Sequence, residues 1–94
     1  MHFLYILYSH KIDKHYVGES PDMVNRLKQH NSHHFKGAFT KTASDWEIVL
    51  SFECGNRENA LYLEKFVKRM KSRAFIEKII KENEILADIL RKNK

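Results

Sequence analysis

The sequence contains little cysteine, proline or glycine: one, one and three residues among 94. The lone cysteine, Cys54, cannot form a disulfide within the chain, which excludes the usual support of small secreted domains and favours a reducing compartment. No linker, internal repeat or low-complexity tract interrupts the chain. We therefore expect a single domain over residues 1–94 with one modest core, in which residues 74–94 form a helical extension packed on the rest.

Long apolar runs are also absent. The apolar N-terminal segment, Met1 to Tyr8, is far shorter than the ~20 residues that span a bilayer. It also lacks the basic leader and the small-residue cleavage site of a secretion signal. We expect a soluble, cytoplasmic protein with no membrane partner.

Acidic residues are in the minority. Seventeen Lys and Arg against twelve Asp and Glu give a net charge of +5. A basic chain favours an anionic partner, nucleic acid first, because cations that neutralise phosphates release counterions. Ordinary solubility charge explains the same excess equally well.

The first third of the chain predicts a β-hairpin. Residues 3–8 are apolar with no polar face, which is typical of an inner strand covered on both sides. Residues 14–18 form a second strand, and a symmetric turn centred just after His10 joins the two. In that register Tyr5 lies directly opposite Tyr16 on one face of the sheet.

A helix from Pro21 to about Asn31 is predicted by a serine cap at Ser20, the proline at the first helical position and an acid in the first turn. Helical spacing makes Met23 and Leu27 its buried stripe. Arg26 and His30 lie one turn apart on the edge of that stripe, half buried and pointing the same way.

The rest of the sequence predicts a loop over 31–45, a strand over 46–53 and a helix over 57–72. Residues 73–94 predict one bent helix or two short helices. Alternation of period two places four strand side chains inward: Trp46, Ile48, Leu50 and Phe52. On the helix that follows, Leu63, Val67 and Met70 face the core, and Glu64 lies at the border of that face.

Glu64 could hold a divalent ion for phosphodiester hydrolysis. Mg²⁺ keeps most of its waters and accepts one carboxylate plus substrate oxygens, so a single glutamate suffices. Arg26 suits a phosphate because its planar fork donates two parallel hydrogen bonds. The alternatives are a surface ion pair of Glu64 with Lys68 and a solvated Arg26.

His30, Tyr5 and Tyr16 could handle protons. Histidine titrates near neutral pH, although a histidine at a helix C-terminus also stabilises the helix dipole. Tyrosines are more often core residues, and catalytic use requires nearby cations that favour the phenolate. Arg26 and an ion on Glu64 would be such cations.

Two tyrosine triplets carry a family resemblance, Phe3-Leu4-Tyr5 and Tyr16-Val17-Gly18. Arg26 follows the second triplet within the predicted helix, and Lys36-Gly37-Ala38-Phe39-Thr40-Lys41 and Ala60-Leu61-Tyr62-Leu63-Glu64-Lys65 follow in order. In this order and spacing the chain resembles the GIY-YIG nuclease superfamily, specifically its small stand-alone members related to the nuclease domain of the bacterial excision-repair excinuclease.

The resemblance covers Phe3 to about Arg73 and implies an α+β fold, a three-stranded antiparallel sheet flanked by helices. It implies DNA as the partner, which we expect in branched, nicked or single-stranded form. The candidate nucleic-acid contacts are Lys36, Thr40, Lys41 and Arg73, and a solvated surface is the alternative for the three cations among them. It adds no small-molecule cofactor. A partner protein would supply targeting.

The resemblance also implies one-metal hydrolysis with Mg²⁺ or Mn²⁺. Tyr5 would activate water, with Tyr16 and His30 assisting proton transfer. Arg26 would bind the scissile phosphate, and Glu64 would hold the ion that stabilises the leaving 3′ oxygen. A repair-related, metal-dependent DNA endonuclease is the first hypothesis, and a non-catalytic nucleic-acid-binding module of the same fold is the alternative. A third hypothesis is a protein-interaction domain that uses the helix from Phe75 to Leu90.

Overall fold

The computed structural model describes residues 1–31 and 43–93. Within them lie three strands and four helices, and the predicted α+β fold with a three-stranded antiparallel sheet is confirmed. The elements are β1 (Phe3–Ser9), β2 (Lys14–Ser20), α1 (Met23–Asn31), β3 (Glu47–Glu53), α2 (Arg57–Met70), α3 (Arg73–Lys81) and α4 (Glu84–Lys92). Most of the loop predicted over 31–45 lies outside the described residues.

Strand β1 is the centre of the sheet, which has the order β2-β1-β3. Its side chains alternate between two apolar clusters. Leu4 and Ile6 belong to the larger cluster with α2, α3 and α4, whereas Tyr5 and Leu7 belong to a smaller one with α1. All four are at most 3% exposed, so the inner strand covered on both sides is confirmed.

The predicted hairpin register was wrong by two residues. Tyr5 pairs with Gly18, and Tyr16 pairs with Leu7. The turn is longer than a symmetric turn after His10 would be, and Asp13 ends it with a left-handed backbone, φ 52°. Because the shift is an even number of residues, both tyrosines still lie on one face of the sheet.

The prediction that four side chains of the third strand share one face was also wrong. A β-bulge interrupts the pairing of β1 with β3: Ile6 pairs with Leu50, but the next residue, Leu7, pairs with Ile48. The extra residue reverses the alternation. Trp46 and Ile48 therefore pack in the smaller cluster, while Leu50 and Phe52 pack in the larger one.

Helix α1 begins two residues later than its sequence signals suggest. Asp22 rather than Ser20 provides the cap, because its carboxylate accepts the Asn25 backbone N–H at 3.1 Å. The Ser20 hydroxyl instead bonds the backbone of Asp22 and closes the turn out of β2. The rotation of the helix was predicted correctly at Met23 and Leu27, which pack in the smaller cluster.

Helix α2 supplies the larger cluster through Ala60, Leu63 and Val67, all essentially buried. The prediction that Met70 joins them was wrong: Met70 is 47% exposed because the helix ends there and Lys71 turns into the left-handed region. At the start of α2, Asn56 is the N-cap and accepts the Asn59 backbone N–H.

The C-terminal segment forms two short helices that pack on the larger cluster. Ile79 of α3 and Leu86 of α4 are fully buried in it. Ser72 caps α3 by accepting the Phe75 backbone N–H. No helix in the described ranges is long and apolar enough to cross a membrane.

An ion pair fastens α3 to the β1–β2 turn. Arg73 donates to both carboxylate oxygens of Asp13, at 2.6 and 3.1 Å, and to Glu77 at 3.0 Å. Tyr8 also donates to Asp13. Hydrogen bonds from Arg73 and then Tyr8 hold the pKa of Asp13 well below its usual value.

The Asp13→Asn variant should have a lower free energy of unfolding than wild type at neutral pH. That free energy should also fall less than the wild-type value as the pH is lowered. The Asp13 pKa is depressed on folding, so its stabilisation is present above the unfolded value of about 4 and is lost as the pH falls below it. Asn tolerates the left-handed backbone, so the change isolates the charge. Chemical denaturation at pH 7 and pH 3 measures this. The difference in the free energy of unfolding between Asp13→Asn and wild type should be smaller at pH 3 than at pH 7. The control is Asp88→Asn, because the Asp88 carboxylate pairs within α4; at pH 7 it should differ from wild type by less than Asp13→Asn does.

Candidate active site

A cleft of about 290 Å³ opens where β1, β2, α1 and α2 meet. It is lined by Tyr5, Tyr16, Gly18, Glu19, Arg26, His30 and Glu64. All five residues singled out for catalysis in the sequence are therefore brought together. Helix α1 covers the tyrosine face of the sheet and α2 covers the opposite face, so the two helices meet at the cleft around the edge strand β2.

Three aromatic rings form the floor of the cleft. The Tyr5 hydroxyl lies 3.0 Å from Nε2 of His30. The rings of Tyr16 and His30 are 4.9 Å apart between centroids, and those of Tyr5 and Tyr16 are 6.4 Å apart. His30 was predicted to be half buried, but it is 3% exposed because it packs between these rings and satisfies the Tyr5 hydroxyl.

Gly18 makes the position of the Tyr5 ring possible. A Cβ built on Gly18 would lie 2.6 Å from the Tyr5 hydroxyl oxygen and 2.7 Å from Cζ. Only a glycine lets the phenol lie across the edge strand at this height. A glycine within a strand is the sequence signal that indicates such a close approach.

Burial keeps the phenol and the imidazole neutral. Burial, followed by the neighbouring Tyr16, raises the pKa of Tyr5 well above its usual value, although the Arg26 charge lowers it. Burial and then Arg26 lower the pKa of His30 to about 4. We assign the hydroxyl as the donor and Nε2 as the acceptor, which leaves the imidazole proton on Nδ1. Arg26 alone therefore does not favour a phenolate.

Glu64 reaches the cleft from α2 with a side chain that is 19% exposed. Nζ of Lys68 donates to its carboxylate at 3.2 Å, which is the ion pair expected from their spacing on the helix. The same ammonium group lies 5.5 Å from the centroid of the Tyr16 ring. Glu64 therefore faces the cleft and forms the ion pair with Lys68 at the same time.

Asn31 anchors the end of α1 next to His30. Its side-chain amide donates to the Trp46 carbonyl at 3.0 Å, and its oxygen accepts the Trp46 N–H at 2.8 Å. This pair of bonds ties the helix end to the residue that precedes β3. From the sequence Asn31 was predicted only to end the helix, and no periodic signal indicates such a contact.

The residues predicted to contact nucleic acid are only partly described. Arg73 lies outside the cleft, in the wall of a neighbouring cavity, and its guanidinium binds Asp13 and Glu77. Lys36, Thr40 and Lys41 fall outside the described residues. Glu19, which was not predicted from the sequence, lines the cleft, and its Oε2 lies 3.6 Å from Nε2 of His2.

Comparison with protein families identifies the fold. The sequence model of the GIY-YIG catalytic domain matches residues 1–82. The chain belongs to the GIY-YIG family. Neither the curated proteins nor the solved structures include a match to the chain. Membership indicates a nuclease-type catalytic domain, and α4 lies beyond the matched region.

In this GIY-YIG domain the two triplets occupy neighbouring strands. The first, Phe3-Leu4-Tyr5, begins the central strand β1, and the second, Tyr16-Val17-Gly18, lies within β2. Tyr5 and Gly18 form a directly opposed pair. The glycine of one triplet thus makes room for the tyrosine of the other.

Gly18→Ala should destabilise the protein by about 1–2 kcal/mol. Overpacking costs roughly 1–3 kcal/mol, and the lower backbone entropy of alanine in the unfolded chain offsets part of that cost. Denaturant unfolding measures the loss. Tyr5→Phe removes the atom nearest the new methyl group and frees the ring from His30, so Gly18→Ala should cost less in a Tyr5→Phe background. Strictly additive effects would contradict the contact.

Proposed function

We propose that this protein is a divalent-metal-dependent endonuclease that hydrolyses phosphodiester bonds in DNA, acting on branched, nicked or single-stranded structures. The observation that carries the proposal is the hydrogen-bonded pair of Tyr5 and His30 beside Arg26, in one cleft with Glu64. Membership of the GIY-YIG family supports the same reaction class.

Arg26 would bind the scissile phosphate. Its guanidinium never loses its charge and can donate two parallel hydrogen bonds to phosphate oxygens. Its charge already acts on the cleft, since it lowers the pKa of both Tyr5 and His30. A phosphate bound at Arg26 would offset that charge and raise the proton affinity of His30 when substrate is present.

Tyr5 and His30 would act as one proton relay. The attacking water would give a proton to the Tyr5 oxygen while the phenol proton moves to Nε2 of His30, so the phenol ends neutral and the imidazole ends protonated. The hydroxide formed attacks phosphorus, and the bond to the leaving 3′ oxygen breaks. A relay suits a tyrosine whose pKa is too high for it to act alone as a base.

Glu64 would hold the divalent ion. Among residues 1–31 and 43–93 no group of three or more His, Cys, Asp and Glu forms a metal cage. The Glu64 carboxylate fits Mg²⁺ or Mn²⁺ shared with substrate oxygens, because such ions keep several waters and need only one or two carboxylates. When bound, the ion would stabilise charge on the leaving 3′ oxygen.

The cleft is too small to read a DNA sequence. At about 290 Å³ it is no larger than a small-ligand site, so the cleft alone cannot contact the run of bases that a sequence-specific interface reads. We propose that DNA shape and a targeting protein select the site, in a repair-related role. The buried thiol of Cys54 is compatible with a reducing, cytoplasmic setting.

Glu64→Ala and Tyr5→Phe should each lower cleavage by about a hundredfold or more, because each removes a group that acts on the transition state. Labelled flap, fork and duplex DNA, incubated with Mg²⁺ or Mn²⁺, provides the assay. Glu58→Ala, an exposed glutamate on the same helix, is the matched control and should cleave within about twofold of wild type. Cleavage by Glu64→Ala at the wild-type rate would rule out the metal role.

Lys68→Ala should raise the affinity for Mn²⁺ about twofold. An exposed ion pair is worth roughly 0.2–1 kcal/mol, and its removal frees the Glu64 carboxylate for the ion. Calorimetric titration with Mn²⁺ measures the change without any substrate. Lys65→Ala, on the same helix and exposed, should leave the affinity unchanged. Equal effects of the two substitutions would argue against Glu64 as the ligand.

The alternative function is a non-catalytic nucleic-acid-binding module. The protonated phenol and the engaged Glu64 carboxylate are compatible with a site that binds phosphate through Arg26 without turnover. This alternative predicts salt-sensitive DNA binding that weakens in Arg26→Ala, together with no cleavage at any divalent-ion concentration.

A further inference from the structure

A second cavity, larger than the cleft, lies on the other side of Tyr16. It measures about 420 Å³ and is formed by β2, the end of α2 and the start of α3. Tyr16 lines both cavities. Lys68 lines the larger one while it donates to Glu64 in the cleft. The two cavities therefore share a wall, and a chain lying across Tyr16 would enter both.

The larger cavity combines an apolar lining with cations. Val17 and Val67, both buried, and the half-buried Ile76 supply the apolar part. Four of its lining residues are Lys or Arg (Lys14, Lys68, Lys71 and Arg73), and only one, Asp13, is acidic. A neutral apolar ligand would not need this excess of positive charge, and a free anion would not need the apolar surface.

Two of the cations are available for a ligand. Arg73 is bound by Asp13 and Glu77, and Lys68 is bound by Glu64. Lys14 and Lys71 are exposed, and within the ranges that the structure describes neither forms an ion pair. Lys71 follows the last turn of α2 with a left-handed backbone, φ 47°.

We propose that this cavity binds an unpaired nucleotide of the DNA strand that is held in the cleft. The base would lie against Ile76 and the apolar lining, and Lys71 and Lys14 would contact the adjoining phosphates. The volume falls within the roughly 300–1,000 Å³ of small-ligand sites. A base inside a duplex cannot leave its stack to enter such a cavity without loss of pairing, so the site selects DNA with unpaired nucleotides.

This inference rests on the proposed function for the strand in the cleft, but its test does not need cleavage. A fluorescein-labelled 12-mer of thymidylate and the same 12-mer with every base replaced by an abasic site are titrated in EDTA, with fluorescence anisotropy as the readout. For wild type, removal of the bases should weaken binding about tenfold.

Ile76→Ser should remove that base dependence. The variant should bind the thymidylate 12-mer several-fold more weakly than wild type does. It should bind the abasic 12-mer as tightly as wild type does. Ile85→Ser is the matched control, since Ile85 is also partly buried against the larger apolar cluster but does not line the cavity. Circular dichroism establishes that both variants fold.

Lys71→Glu gives a second arm that does not touch the core. It should weaken binding of both 12-mers about tenfold. The plot of log affinity against log salt concentration should become less steep by about 0.7, the value for one phosphate contact on a single strand. Lys92→Glu, exposed on α4, should change affinity less than twofold.

Two results would overturn the proposal. One is equal affinity of wild type for the two 12-mers, and the other is an equal loss in Ile76→Ser and Ile85→Ser. Base-dependent binding without any cleavage would support the cavity and contradict the nuclease function. Cleavage without base-dependent binding would support the nuclease function and contradict the proposed role of the cavity.

Discussion

The burial of strand β1 on both faces is the constraint on which the rest of the structure depends. Its side chains enter two apolar clusters, so Tyr5 is at once a core residue and a cleft residue. A buried hydroxyl needs a hydrogen-bond partner, because an unpaired one costs roughly 1–3 kcal/mol. His30 is that partner, and the requirement of the core therefore also sets the distance between the two groups of the proposed proton relay.

The edge position of β2 explains how helices on opposite faces of the sheet can build one site. Residues from α1 and α2 meet only around a strand with no further neighbour, and β2 has none within the described part of the sheet. Gly18 leaves that edge without a side chain, and the Tyr5 phenol occupies the space. A bulkier residue would displace the group that links the two halves of the site.

The sequence predicted the elements and five of the side chains that line the cleft, because these depend on local periodicity and on motif order. It could not predict details that depend on distant contacts. The bulge opposite Leu7 leaves no local signal, so Leu50 was expected on the same face as Ile48 and packs on the other. The burial of His30 could not be predicted from its place at a helix edge, because it depends on two rings from another part of the chain.

The charges of the cleft couple the two ligands that the proposed function requires. Arg26 lowers the pKa of both Tyr5 and His30, and a bound phosphate would offset its charge. Glu64 is held by Lys68, and a divalent ion would replace that ammonium group. A phosphate attracts the ion that Glu64 would bind, and the ion attracts the phosphate, so each ligand raises the affinity for the other by the same factor. Displaced from Glu64, the Lys68 ammonium group would remain beside Tyr16 in the wall of the larger cavity, where it could contact the strand that continues from the cleft.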